Sequence, residues 1–473
     1  VSEPAKTSDQ MLRPSASARP PAEPPSSLGL FDSTTIVAGS MIGSGIFLVS
    51  ASIARDTGSP GWLLVVWLVA GVMTVAAALS YGELAAMFPA AGGQYVYLRE
   101  AFGPLPAFLF GWTQLLVIQT GTIAAVAVGF ARFLGVLVPG IDDHALAGPV
   151  TPQRLVAIAL LLLLTYVNTR GLAFGKLLQN TFTVAKVGVL VALVGLGLYA
   201  GFAPATHAPG AGPLFGAFPL ATFGPAMVGA LFAADAWNNI TFTAGEVRDP
   251  ARNLPRALLY GTGGVIALYL AVNVAYLAAL PIDAIAHAPL DRVASAMAQA
   301  VLGSGAATLV ACGILISTFG CSNGMVLAGA RVSYAMAKDG LFFKPSATLN
   351  AAGVPAHALW MQLLWAALLC LSGTYSQLLD YVIFAVLIFY VLTLAGLFSL
   401  RKRRPDAARP YKAVGYPWLP GAYIVAAAAV AVSLLLAPET RTQSLAGLGC
   451  VLVGLPVYLF ISRRASNEPA VRA

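Results

Sequence analysis

The sequence predicts an all-α integral membrane protein of twelve transmembrane helices. Three observations carry that reading. The chain of 473 residues is 58% hydrophobic and only 10% charged, too little charge to cover the surface of a soluble protein this long. Apolar runs near the ~20 residues that cross a bilayer recur along its whole length. Two of these runs, five spans apart, are interrupted halfway by residues that break helices.

Taken in order, the spans are read at 31–54, 62–88, 105–138, 153–169, 178–201 and 220–245, then at 256–280, 304–335, 356–373, 378–400, 417–437 and 443–462. Residues 1–28, rich in Pro, Ser and Ala, are expected to form a disordered tail, and the first apolar run is expected to be a full span rather than a cleavable signal. Lys and Arg crowd the segments that share a side with the N-terminus, among them Arg248, Arg252, Arg256, Arg331, Lys338 and Arg401–Arg404. The opposite side holds Arg55, Arg132, Arg154, Arg292 and Arg441. Both termini are therefore expected in the cytoplasm, and the net charge of +8 follows from topology rather than from nucleic-acid binding. The run RKRR at Arg401–Arg404 reads as a topology anchor against anionic lipid. The four cysteines and four histidines show neither disulfide nor metal spacing, so no metal or cofactor is expected.

The first break is "GSMIGSGIF", Gly39–Phe47; the second is "FAADAWNN", Phe232–Asn239. In hydrocarbon an unwound stretch survives only if it is buried or lines a cavity. Paired breaks in two five-span halves are the sequence sign of an inverted-repeat transporter. At the first break (Ile42, Gly43, Ser44, Gly45), freed N–H groups start a half-helix and suit a carboxylate. Freed carbonyls at Phe232, Ala233 and Asp235 suit an ammonium group. The two together describe an α-amino acid. The competing reading of the glycines, a close-packing helix face, is weakened by the paired break at Asp235. A channel would want a continuous polar pore and an enzyme a catalytic cluster; neither is visible in the sequence.

These segments, with "YGELAAMFPAAGGQYVYLREAFGPLPAFLFGW" (Tyr81–Trp112), "FTVAK" (Phe182–Lys186), "STFGCSNG" (Ser317–Gly324) and the loop after the second break through Ala257, resemble the amino acid–polyamine–organocation superfamily. Within it, the likeness is to the L-type amino acid transporters. It implies a LeuT-like 5+5 inverted repeat with helices one and six broken, plus two extra C-terminal helices. The layout is then a core over 29–404, helices eleven and twelve over 405–463, and a cytoplasmic tail over 464–473.

The resemblance also implies roles. Ser44 and Gly45 hold the substrate carboxylate, Phe232 is the aromatic gate, and Asn238 lines the site. Lys186 and Ser317 take the place of a sodium ion, making transport sodium-independent. A mid-span Lys costs about 2.5–3.5 kcal/mol on insertion scales, so Lys186 needs partners at the first break; a fixed brace and a proton carrier are both open. Asp235 is either a ligand for a basic substrate side chain or a local cap, and its small apolar neighbours Ala233, Ala234 and Ala236 lean the reading to neutral substrates. Gln119 and Cys321 are pocket candidates. Glu83 and Glu246 are read as inner-gate residues paired with arginines such as Arg248, Arg252 or Arg331. The loop Pro139–Pro152 lacks the cysteine that ties animal relatives to a glycoprotein partner, so a stand-alone, bacterial-type permease of the inner membrane, working by exchange or proton symport, is implied.

Overall fold

The computed structural model describes residues 28–467 apart from 171–172, 203–212, 218–221, 304 and 373–374; the side chains of 173–178 and 463–467 are also left aside. The tail read over 1–28 lies outside the described residues except for Leu28, and the C-terminal tail lies outside them beyond Asn467.

The described chain is helical, without a strand among the described residues. The first span is two helices, α1 (Leu30–Met41) and α2 (Gly45–Thr57), bent by 42° across the break. Gly58, at φ 62°, ends α2 in the left-handed conformation that glycine adopts freely. Then come α3 (Pro60–Met87), the short α4 (Gln94–Phe102) and α5 (Pro104–Leu137). Proline at the first turn of α3 and α5 suits the helix start, where its missing N–H costs nothing. Within α5, Gln114–Ile118 form a π-turn, one residue longer per turn than the α-helix around it. The helices α6 (Pro152–Thr169) and α7 (Ala173–Phe202) complete the first half.

The second half opens with α8 (Phe223–Ala233) and α9 (Asn239–Phe242), separated by the second break. There follow α10 (Pro250–Ala279), α11 (Ile282–Ala286), α12 (Val293–Leu302), α13 (Ala306–Lys338), α14 (Ala356–Ser372) and α15 (Tyr375–Arg403). The last two are α16 (Trp418–Leu436) and α17 (Pro438–Asn467).

Among the described residues, nine helices are long and apolar enough to cross a membrane, ten if the bent pair α1–α2 is one span. Twelve spans are not reached on length alone. The run read over 220–245 yields an 11-residue helix before its break, and α14 has 17 residues. The packing puts both breaks at the centre. Helix α2 lies on α8, and α10 lies against α1, α3 and α7. Helix α13 packs on α5 and α7, while α16 and α17 flank α15. Large aromatic side chains such as Trp67, Trp237, Tyr81 and Phe108 are buried inside, while Val191, Leu364, Val425 and Phe460 face outward. An apolar exterior of this kind matches a bilayer as solvent.

Candidate functional site at the two helix breaks

The last four carbonyls of any helix lack intrahelical partners, and at the end of α1 they are deep in the protein. Side chains from three other helices donate to them. Lys186 of α7 reaches Gly39 O at 2.6 Å. From α13, Cys321 Sγ lies 3.2 Å from Ser40 O and Ser317 Oγ 3.4 Å from Ile42 O. Tyr269 of α10 donates to Met41 O at 2.9 Å. All four side chains are fully buried. The Lys186 ammonium therefore sits at the negative end of a helix dipole. Lys186 and Ser317 cap neighbouring carbonyls of the same helix end, so they act side by side rather than on each other.

On the far side of the break, Ser44 is the N-cap residue of α2 and Gly45 its first helical residue. Their N–H groups occupy positions with no intrahelical acceptor. Gly43 corrects the sequence reading: its N–H donates to Met41 O at 2.8 Å. The tight turn that closes α1 consumes this donor, and the Ser44 and Gly45 N–H groups remain at the start of α2.

The second break is a turn through Ala234–Asn238, with Ala236 at φ 63°. Phe232 O accepts from Asp235 N at 3.2 Å and shares the Ala234 N–H with Ala230 O. Among the described residues, no backbone donor of the turn takes the Ala233 or Asp235 carbonyl. The two breaks touch. A Cβ built on Gly45 would come within 2.7 Å of Ala233 Cβ and 2.9 Å of its Cα, so only glycine permits this approach. Ser44, Gly45, Phe232, Ala233, Asp235 and Cys321 line one narrow cavity of about 10 Å³, room for a single water.

Asp235 also borders two neighbouring cavities. Its carboxylate accepts from Tyr390 Oη at 2.6 Å and from the Ala236 N–H. Trp237 packs edge-on to Tyr81, their ring centroids 4.8 Å apart, and against Tyr390. Asn238 donates to Gln94 Oε1 at 3.2 Å. Gln119 donates to Met325 O and accepts from Gln114, at 2.7 and 2.9 Å. These amides wall the cavity beside Asp235.

Toward the Leu28 end, Glu246 pairs with Arg331 at 2.7 Å, as the sequence suggested. Glu83 takes other partners: Arg401 at 2.5 Å, Arg409 at 3.2 Å and the Ala413 N–H at 2.7 Å. The RKRR run is thus tied into the protein, with Arg404 on Glu100 at 3.0 Å and Arg403 on Ala101 O. Sequence reasoning missed Tyr269, Tyr375 and Tyr390 at the site; tyrosine in an apolar run gives no signal that separates a hydroxyl partner from a packing ring.

Comparison with known proteins shows the family of the chain. Residues 28–455 match the family described as amino acid permease. The chain is 31% identical over 442 residues to the human b(0,+)-type amino acid transporter 1, covering 92% of this chain and 86% of that one. It is 31% identical over 445 residues to the serine/threonine exchanger SteT of Bacillus subtilis (strain 168), covering 93% and 98%. To the human large neutral amino acids transporter small subunit 2 it is 31% identical over 442 residues, covering 91% and 79%. The family and these relatives are transporters, not enzymes. The chain belongs to the amino acid permease family of the amino acid–polyamine–organocation superfamily.

Proposed function

We propose that the protein is a sodium-independent secondary transporter that exchanges α-amino acids by alternating access, neutral ones favoured. The observation that carries this is the contact of the two breaks, which sets unpartnered N–H groups of Ser44 and Gly45 against carbonyls of Phe232, Ala233 and Asp235 around one cavity. A carboxylate fits the first set and an ammonium the second. The lean to neutral side chains rests on Asp235, whose carboxylate already has Tyr390 and the Ala236 N–H as donors. Independence from sodium rests on Lys186, a cation built into the end of α1.

The same reading includes twelve spans in a 5+5 inverted repeat with two extra helices, both termini cytoplasmic, a plasma-membrane location and no disulfide-linked partner chain. With a cavity of only about 10 Å³, the form described here is closed, and a substrate enters when the helices around the breaks part. Glu246–Arg331 closes the inner side. A cationic-substrate reading is favoured by one observation, that Asp235 borders three cavities at once.

The test is radiolabelled uptake into proteoliposomes preloaded with unlabelled amino acid. Exchange predicts saturable, stereoselective uptake that falls to background in empty vesicles. Equal uptake into empty vesicles would remove exchange, and uptake without saturation would remove the transporter reading.

A further inference from the structure

Ser44 has a neighbour that the roles above do not use. Tyr375, the first residue of α15, is buried, and its hydroxyl lies 3.2 Å from Ser44 Oγ in a shared hydrogen bond. Its ring meets Phe232 edge-on, centroids 6.3 Å apart. The Arg132 guanidinium of α5 lies 5.2 Å from the ring centre. Arg132 in turn pairs with Asp291 at 3.4 Å, and Asp291 pairs with Arg55 of α2 at 2.8 Å. Asp291 and Leu290, just before α12, are non-glycine residues at φ 61° and 52°. Such a turn persists only where its contacts hold it.

We propose that Tyr375 is a side-chain ligand of the substrate carboxylate, and that Arg132 and Asp291 position it as the movable outer cover of the site. The proposal rests on the reading of Ser44 as the carboxylate-binding residue. The chemistry follows from donor counting. Two hydroxyls joined by one hydrogen bond use little of their combined capacity; a carboxylate bound beside them can accept a hydrogen bond from each, and charge-assisted bonds are the stronger kind. Arg55 and Arg132 share the carboxylate of Asp291, Arg292 donates to Arg132 O at 3.3 Å and Asp56 adds a second carboxylate beside Arg55; three arginines against two carboxylates leave positive charge near the ring, which favours an anion there. A cation over the face of Tyr375 also restrains the ring. In the closed form the ring already meets Phe232 and the hydroxyl already meets Ser44; a bound carboxylate that accepts from the Tyr375 hydroxyl holds the ring in that closed position. Substrate binding and outer closure become one event, through a residue on α15 rather than on either broken helix.

The test is competition of labelled alanine uptake in proteoliposomes by unlabelled alanine and by alaninamide, which keeps the ammonium and loses the carboxylate. In wild type, alanine should compete far better than alaninamide. If the two compete equally, the reading of Ser44 fails and the Tyr375 proposal falls with it. Given that discrimination, Tyr375→Phe keeps the ring and should weaken alanine about tenfold while leaving alaninamide unchanged. Unchanged alanine competition overturns the proposal and leaves Ser44 standing. Equal weakening of both compounds assigns Tyr375 a purely structural role and also overturns it. Should Tyr375→Phe fail to fold, Arg132→Gln serves instead: alanine weakens several-fold with alaninamide unaffected, and parallel weakening of both refutes the positioning role.

Discussion

Replacing Lys186 with Met separates the stability of the protein from the integrity of its site. Met nearly matches the volume of Lys and removes the ammonium. Gly39 O, bonded at 2.6 Å by Lys186 in wild type, is then a buried carbonyl without its donor, which costs about 1–3 kcal/mol. The cation at the C-terminal end of α1 is also lost, a further ~0.3–2 kcal/mol. Against this, the protein no longer buries a fully desolvated ammonium, and that relief favours the folded chain as a whole. The two effects act in different places. Relief accrues to folding in general, whereas the lost cap falls on the turn that aims Ser44 and Gly45. Thermal unfolding of purified Lys186→Met should therefore stay close to wild type. Exchange in proteoliposomes should drop by at least tenfold, about 1.4 kcal/mol at the site. Wild-type exchange in a well-folded Lys186→Met would refute the argument that this cap sets the break.

Replacing external sodium with choline should leave initial uptake unchanged; a steep dependence would show that an ion site exists beside Lys186. Gly45→Ala places a methyl 2.9 Å from the Ala233 backbone, a misfit of about 1–3 kcal/mol, and should abolish exchange while the protein still purifies as a monodisperse species. Arginine should compete weakly against labelled leucine in wild type and in Asp235→Asn; strong competition lost in the variant would make Asp235 a substrate ligand. Glu83→Gln leaves Arg401 and Arg409 without their shared carboxylate, a loss of about 3–5 kcal/mol, and should lower the melting temperature clearly.

The breaks were legible because their residues are out of place. Three glycines and two serines in one apolar run, and Asp235 with Asn238 and Asn239 in another, cannot be explained by lipid contact. Lys186 was legible for the same reason. The tyrosines were not, because a ring in an apolar run is already accounted for by packing, and only coordinates show that Tyr269, Tyr375 and Tyr390 aim hydroxyls at the breaks. Glu83 was seen as a pairing residue, but Arg401 lies 318 positions away. Its run of basic residues had an adequate explanation in topology alone. The amide of Gly43 was counted as free because sequence gives the break, not the turn inside it.

The π-turn at Gln114–Ile118 acts as a phase shifter in α5. In a regular helix, residues five apart point about 140° away from each other. Here Gln114 and Gln119 hydrogen-bond at 2.9 Å, and Thr120 reaches back five residues to Leu115 O at 2.6 Å. One surplus residue has been stored in the ladder, and the half-helix beyond it is rotated by roughly 100° relative to the half before. The near half keeps its own neighbours, with Trp112 bonded to Cys450 O of α17. The far half is free to offer Gln119 and Thr122 to the cavity and, three turns on, Arg132 to Asp291 and Tyr375. Two sets of contacts that a straight helix could not satisfy together are reconciled by a single residue of extra length, so the alignment of Gln119 with its cavity and of Arg132 with Asp291 and Tyr375 depends on how many residues α5 contains as much as on which ones they are.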